Sequence, residues 1–126
     1  MMGVLCVGAG GFIGAVGRYG LGLVPLAPGL PLMTLLINFA GSVLIGAVVE
    51  AAELAAGALP REAVLFLKVG LCGGFTTFST FSLETLDLIE GGQYALASAY
   101  ALASVILCVA GVLAGKMLAR ALMPAG

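Results

Sequence analysis

The chain has 126 residues, of which 62% are hydrophobic and 9% charged. A soluble domain carries roughly a quarter charged residues, so five basic and six acidic side chains exclude an ordinary water-soluble globule. A net charge of −1 from scattered residues leaves no footprint for nucleic acid. The absence of histidine and the few acids argue against metal-hydrolase or histidine-based acid–base chemistry.

In chain order, a first apolar run extends from about Met2 to Val24. No basic residue precedes it and no mature domain follows a cleavage site, so it is expected as a retained helix rather than a cleaved signal. Three prolines and Gly29 in the stretch 25–31 make a short connector. A second run covers about 32–54 and a third about 61–89, ending at Glu90-Gly91-Gly92. The fourth covers about 93–122. Each is long enough to cross a hydrocarbon core of about 30 Å. The expectation is an all-α fold: one transmembrane domain over residues 1–126, with four helices and connectors too short for a soluble part. Function must then sit within the lipid bilayer.

Small residues recur four apart as Gly10/Gly14, Ser42/Gly46, Gly70/Gly74 and Gly111/Gly115. In lipid this spacing lets helix backbones approach closely, so helix packing is their first reading. The opening Gly8-Ala9-Gly10-Gly11-Phe12-Ile13-Gly14 is no dinucleotide loop, because Ile13 stands where the third glycine belongs and no strand precedes it. Cys6, Cys72 and Cys108 are widely spaced and match no metal motif; Cys6 and Cys72 read as small packing residues.

The third run departs from this pattern. Residues 70–82 read Gly-Leu-Cys-Gly-Gly-Phe-Thr-Thr-Phe-Ser-Thr-Phe-Ser, a poor continuous helix of adjacent glycines followed by β-branched and hydroxyl residues. A break is expected there, and irregular backbone at membrane depth is tolerated only where protein buries it or it lines a wet cavity. Its freed carbonyls suit a hard cation. Polar side chains within the spans are few: Thr34, Asn38 and Ser42 in the second, Thr76, Thr77, Ser79, Thr80, Ser82 and Glu84 in the third, and Ser98, Tyr100 and Ser104 in the fourth, with Cys108 one turn further. Hydroxyls and the Asn38 amide are donors, and Phe78 and Phe81 can present electropositive ring edges. Such a lining replaces the water of a small, strongly hydrated anion without holding it too tightly to leave.

Gly10-Gly11-Phe12-Ile13-Gly14-Ala15-Val16-Gly17-Arg18-Tyr19, Asn38-Phe39-Ala40-Gly41-Ser42 and the run 70–82 together resemble, in order and spacing, the Fluc (CrcB-type) fluoride channels over essentially the whole chain. The resemblance implies a passive fluoride exporter of the bacterial inner membrane, built as an antiparallel, dual-topology homodimer with two pores. It implies that Asn38, Thr77, Phe78, Phe81, Tyr100 and Ser104 line the pores and that Arg18 stands at a vestibule. The carbonyls of Gly73 and Thr76 would hold a central Na⁺, two from each subunit. Glu84 matches the acid after the break, while Cys108 departs by standing where a second fourth-helix hydroxyl is expected.

Basic residues are unevenly placed: the N-terminal side collects Arg61, Lys68, Lys116 and Arg120, the other side only Arg18. That bias favours one orientation, so pairing with an oppositely oriented homologue stands beside the homodimer. Two rivals fit less well. A proton-coupled exporter resembling small multidrug transporters needs a mid-membrane acid, usually in the first helix, and this first span has none. A membrane-embedded enzyme such as a lipid kinase needs phosphate- and metal-binding groups that these connectors do not supply, so no enzymatic activity is expected.

Overall fold

The computed structural model describes residues 1–24, 26, 27 and 29–123. Pro25 and Pro28 of the expected first connector lie outside the described residues. All regular structure among the described residues is helical, and four helices are long and apolar enough to cross a membrane. The chain is thus a multi-pass membrane protein. The first span is α1 (Met2–Gly22) and the second α2 (Leu32–Leu54). The third, Arg61–Glu90, is built of α3 (Arg61–Val64), a π-helical stretch (Leu65–Cys72), α4 (Gly73–Phe75) and α5 (Phe78–Glu90). The fourth is α6 (Tyr94–Leu122).

Each end has a local cause. After α1 the Leu23 and Val24 N–H groups turn back to the Gly20 and Leu21 carbonyls, a tighter winding that closes the helix. Beyond α2, Ala56 and Gly57 both take positive φ, +47° and +86°, and reverse the chain before Pro60. The α5–α6 turn uses Gly92 at φ +74°, with the Gln93 N–H on the Leu88 carbonyl at 2.8 Å.

Two glycine seams hold the bundle together. Along the first, α1 meets the upstream half of the third span: a Cβ at Gly10 would strike the Phe66 carbonyl, and one at Gly14 the Leu71 carbonyl. From the other side, a Cβ at Gly70 would lie 2.8 Å from the Val7 carbonyl and one at Gly74 2.5 Å from the Gly11 carbonyl. Along the second seam α2 meets α6, where Gly46 abuts the Val112 carbonyl and Gly115 the Val43 carbonyl. The small residues therefore act as expected, letting backbone touch backbone. Ser42 instead turns its hydroxyl onto its own Asn38 carbonyl at 2.7 Å. At the far end of α2, buried Glu50 accepts from Arg120 Nε at 2.6 Å and Lys116 Nζ at 2.9 Å, tying α2 to α6 by charge.

The third span is broken within the expected run 70–82. Gly73 and Gly74 remain helical, and the extended backbone falls at Thr76 (ψ 157°) and Thr77 (ψ 113°). Helix propensity alone marks the glycines as the weak point. Their helix is instead held against α1, and the turn opens where substitute hydrogen-bond partners exist.

Candidate functional site

Those partners come chiefly from Asn38. Its Oδ1 accepts the Thr77 N–H at 2.8 Å and its Nδ2 donates to the Thr77 carbonyl at 3.1 Å, as a neighbouring backbone would. Thr77 then caps α5, its Oγ1 accepting the Thr80 N–H at 3.2 Å and donating to Thr80 Oγ1 at 3.0 Å. On the upstream side, Thr76 Oγ1 donates to the Cys72 carbonyl at 2.8 Å, and its methyl group sits where a side chain on Gly41 would go. Arg18 Nε donates to the Gly74 carbonyl at 3.2 Å. One amide hydrogen of Asn38 is left for a ligand.

These exchanges alter the acceptors too. In a continuous helix the Thr77 N–H would bond the Gly73 carbonyl and the Thr80 N–H the Thr76 carbonyl. Both donors are committed elsewhere, so the Gly73 and Thr76 carbonyls lose their helical partners. Two carbonyl oxygens so released are the ligand type a hard alkali cation takes. The residues present fit such an ion.

A groove of about 430 Å³ opens over the break. It gathers Asn38, Gly73, Thr76, Thr77, Phe78, Phe81, Ser104 and Cys108 from three different spans. The Phe78 and Phe81 ring centroids stand 5.3 Å apart, tilted by 47°, and Phe81 lies 5.3 Å from the Tyr100 ring at 49°. The two phenylalanines differ in setting. Phe81 packs against the buried cluster of Leu88, Ala97 and Tyr100, whereas Phe78 is 77% exposed. Ser104 Oγ is buried and has no hydrogen-bond partner among the described residues. A buried hydroxyl left unpaired is destabilising, so the groove wall carries an unmet polar group.

Other expected site residues sit apart from this groove. The Tyr100 hydroxyl donates to Glu84 Oε2 at 2.7 Å, and Thr34 Oγ1 donates to Glu84 Oε1 at 2.7 Å. Glu84 and Arg18 line a second cavity of about 320 Å³, together with Thr34, Thr77 and Thr80. Thr77 borders both spaces, so the break is the wall between them. Thr34, one of the few polar residues of the second span, shares a helix face with Asn38 and Ser42 by its four-residue spacing, but its bond to Glu84 is not legible in the sequence. Lys68, which also lines the groove, was legible only as an ionisable residue within a span.

Comparison with known proteins follows the same line. The model of the family described as CrcB-like protein, Camphor Resistance (CrcB), matches residues 5–116. The chain is 48% identical over 120 residues to a fluoride-specific ion channel FluC of Nitrobacter winogradskyi, covering 93% of this chain and 94% of that one. It is 49% identical over 126 residues to the protein of the same name from Granulibacter bethesdensis, covering 98% of each. A third such channel, from Ruminiclostridium cellulolyticum, is 42% identical over 125 residues, 95% of this chain and 94% of that one.

Proposed function

This chain belongs to the CrcB family, and from that premise we propose that it is a fluoride-selective channel letting the ion leave the bacterial cell down its own gradient. It is a transport protein of the bacterial membrane and not an enzyme. The observation that carries the reading is the groove that brings together the Asn38 amide, the Phe78 and Phe81 rings and Ser104, whose buried hydroxyl has no hydrogen-bond partner among the described residues. Donors and ring edges stabilise a small anion as it sheds water. The relatives named as fluoride-specific channels support the choice of anion.

In this reading fluoride meets the remaining Asn38 hydrogen, the Phe78 and Phe81 edges and the Ser104 hydroxyl in turn. Each contact is weak enough to release the ion to the next. Thr77 keeps the break open between groove and second cavity, Arg18 gives that cavity a positive charge, and Tyr100 acts through Glu84. Cys108 continues the fourth-helix wall with a weaker donor than a hydroxyl. In a single chain the groove lacks a facing wall. An oppositely oriented second copy, or a homologue so oriented, would close it and give two pores per dimer. A sodium ion between the copies would take the carbonyls of Gly73 and Thr76 from each, supplying a fixed positive charge that locks the dimer.

Purified protein in liposomes loaded with fluoride tests the assignment through an external fluoride electrode. Fluoride should appear without ATP or a proton gradient, while chloride-loaded vesicles retain their anion. Equal chloride release, or a strict requirement for a proton gradient, would overturn the reading.

A further inference from the structure

The groove holds one charged side chain that the reading above leaves unused. Lys68 lies in the π-helical stretch Leu65–Cys72, is exposed, and lines the same groove as Asn38, Phe78 and Ser104. The wider π-helical turn, with its i→i+5 bonding, sets Lys68, Cys72, Gly73, Thr76 and Thr77 along one groove wall. The ammonium therefore shares a surface with the break.

Its electrostatic setting is unlike that of the neighbouring cations. Lys116 and Arg120 are both paired with Glu50, and Lys116 lies 3.6 Å from Glu53. Arg18 lines the second cavity and is bonded to the Gly74 carbonyl. Among the described residues Lys68 has no ion pair. An unpaired ammonium within a span belongs in a wet space, and a four-carbon stem lets a lysine seven residues from the start of the span hold its charge toward water.

We propose that Lys68 is a specificity-determining residue of the anion path, gathering small anions at the groove mouth on the chain's N-terminal side and turning cations away. This rests on the channel reading. A charge at the mouth of a low-dielectric cleft focuses field lines and raises the local concentration of its counter-ion. Placed at the mouth, it attracts without adding a tight site beside the Ser104 hydroxyl, which would slow release. Fluoride then reaches the dehydrating contacts at Asn38, Phe78 and Phe81 already concentrated.

Fluoride currents in planar bilayers test this with the full chain and its Lys68→Gln and Lys68→Arg variants. At about 30 mM salt, Lys68→Gln should carry about threefold less current or lower still, a modest share of what focusing can give. Raising ionic strength to about 1 M with an impermeant salt shortens the Debye length to about 3 Å and should erase most of that gap. Lys68→Arg should stay near the parent at both salts. Independently of how well those variants fold, Lys68→Cys channels already in the bilayer can be modified there. A cationic methanethiosulfonate should raise the current and an anionic one lower it, with the parent chain controlling for Cys6, Cys72 and Cys108. A deficit that ignores salt, an unchanged Lys68→Gln current, or equal responses to both reagents would overturn the proposal. Absence of fluoride current in the parent would instead remove the channel reading itself.

Discussion

Gly73 and Gly74 are neighbours in sequence and in the same short helix, yet they face opposite surroundings. A Cβ on Gly74 would lie 2.5 Å from the Gly11 carbonyl, inside the seam with α1. One on Gly73 would meet nothing within 4 Å, because that residue borders the groove. The pair separates two kinds of region in this small bundle. In the seams, backbone touches backbone and shape decides everything. Around the groove, polar groups are arranged with less opposite them than they can bind, and chemistry decides.

The largest expected effect comes from filling a seam. Gly74→Ala, Gly14→Ala and Gly115→Ala each place a methyl group against main-chain atoms that cannot rotate away. Overpacking of an interior typically destabilises by about 1–3 kcal/mol, occasionally more, and rigid backbone on the struck side puts these at or above the top of that range. Thermal unfolding in detergent should show a large drop or no folded protein. A Gly115→Ala chain as stable as its parent would break the distinction at the α2–α6 seam.

Much of this is legible in the sequence. Apolar run length gave four spans, four-residue small spacing gave the seams, and a glycine–hydroxyl run gave the broken third helix. What the sequence could not give was direction. Gly73 and Gly74 have identical chemistry, so only the rotation of the helix against α1 tells the seam residue from the groove residue. Within that glycine–hydroxyl run the break falls at Thr76 and Thr77 because a residue 39 positions from Thr77, Asn38, supplies both hydrogen-bond partners; no local propensity contains that information. Tyr100 was expected at the groove beside Ser104, one helical turn on. Its hydroxyl goes instead to Glu84, held also by Thr34. That three-residue contact joins three spans, and spacing within any one of them is silent about it.

A middle-sized effect separates the two phenylalanines. If their edges help strip water from the ion, Phe78→Ile and Phe81→Ile should each slow fluoride efflux at least about tenfold, equivalent to about 1.4 kcal/mol of barrier. Phe12→Ile, at a residue 70% exposed and away from the groove, should change little. Stability should divide the pair where flux does not. Phe81 packs on the Tyr100 cluster and should lose some thermal stability, while Phe78, mostly exposed, should lose less. Volume-conserving apolar swaps usually stay within about 1.5 kcal/mol, so neither change should unfold the chain. Normal efflux from both variants at matched folded content would return these rings to simple packing.

The smallest effect on the fold should come from Gly73→Ala, and its smallness is the sharpest use of the comparison. The added methyl group meets no atom of its own chain within 4 Å, and residue 73 is helical. Replacing glycine by alanine within a helix stabilises it by roughly 0.5–1 kcal/mol. Thermal unfolding of the isolated chain should therefore stay level or rise slightly, in contrast to Gly74→Ala one residue away. Function adds an independent readout. If the Gly73 carbonyl helps hold sodium against a second copy, a methyl group beside it crowds that meeting point rather than the fold. Dimer content and fluoride efflux should then fall, and added sodium should restore less of either than it does in the parent chain. Equal destabilisation of the chain by both alanines would mean that Gly73 belongs to the seam after all.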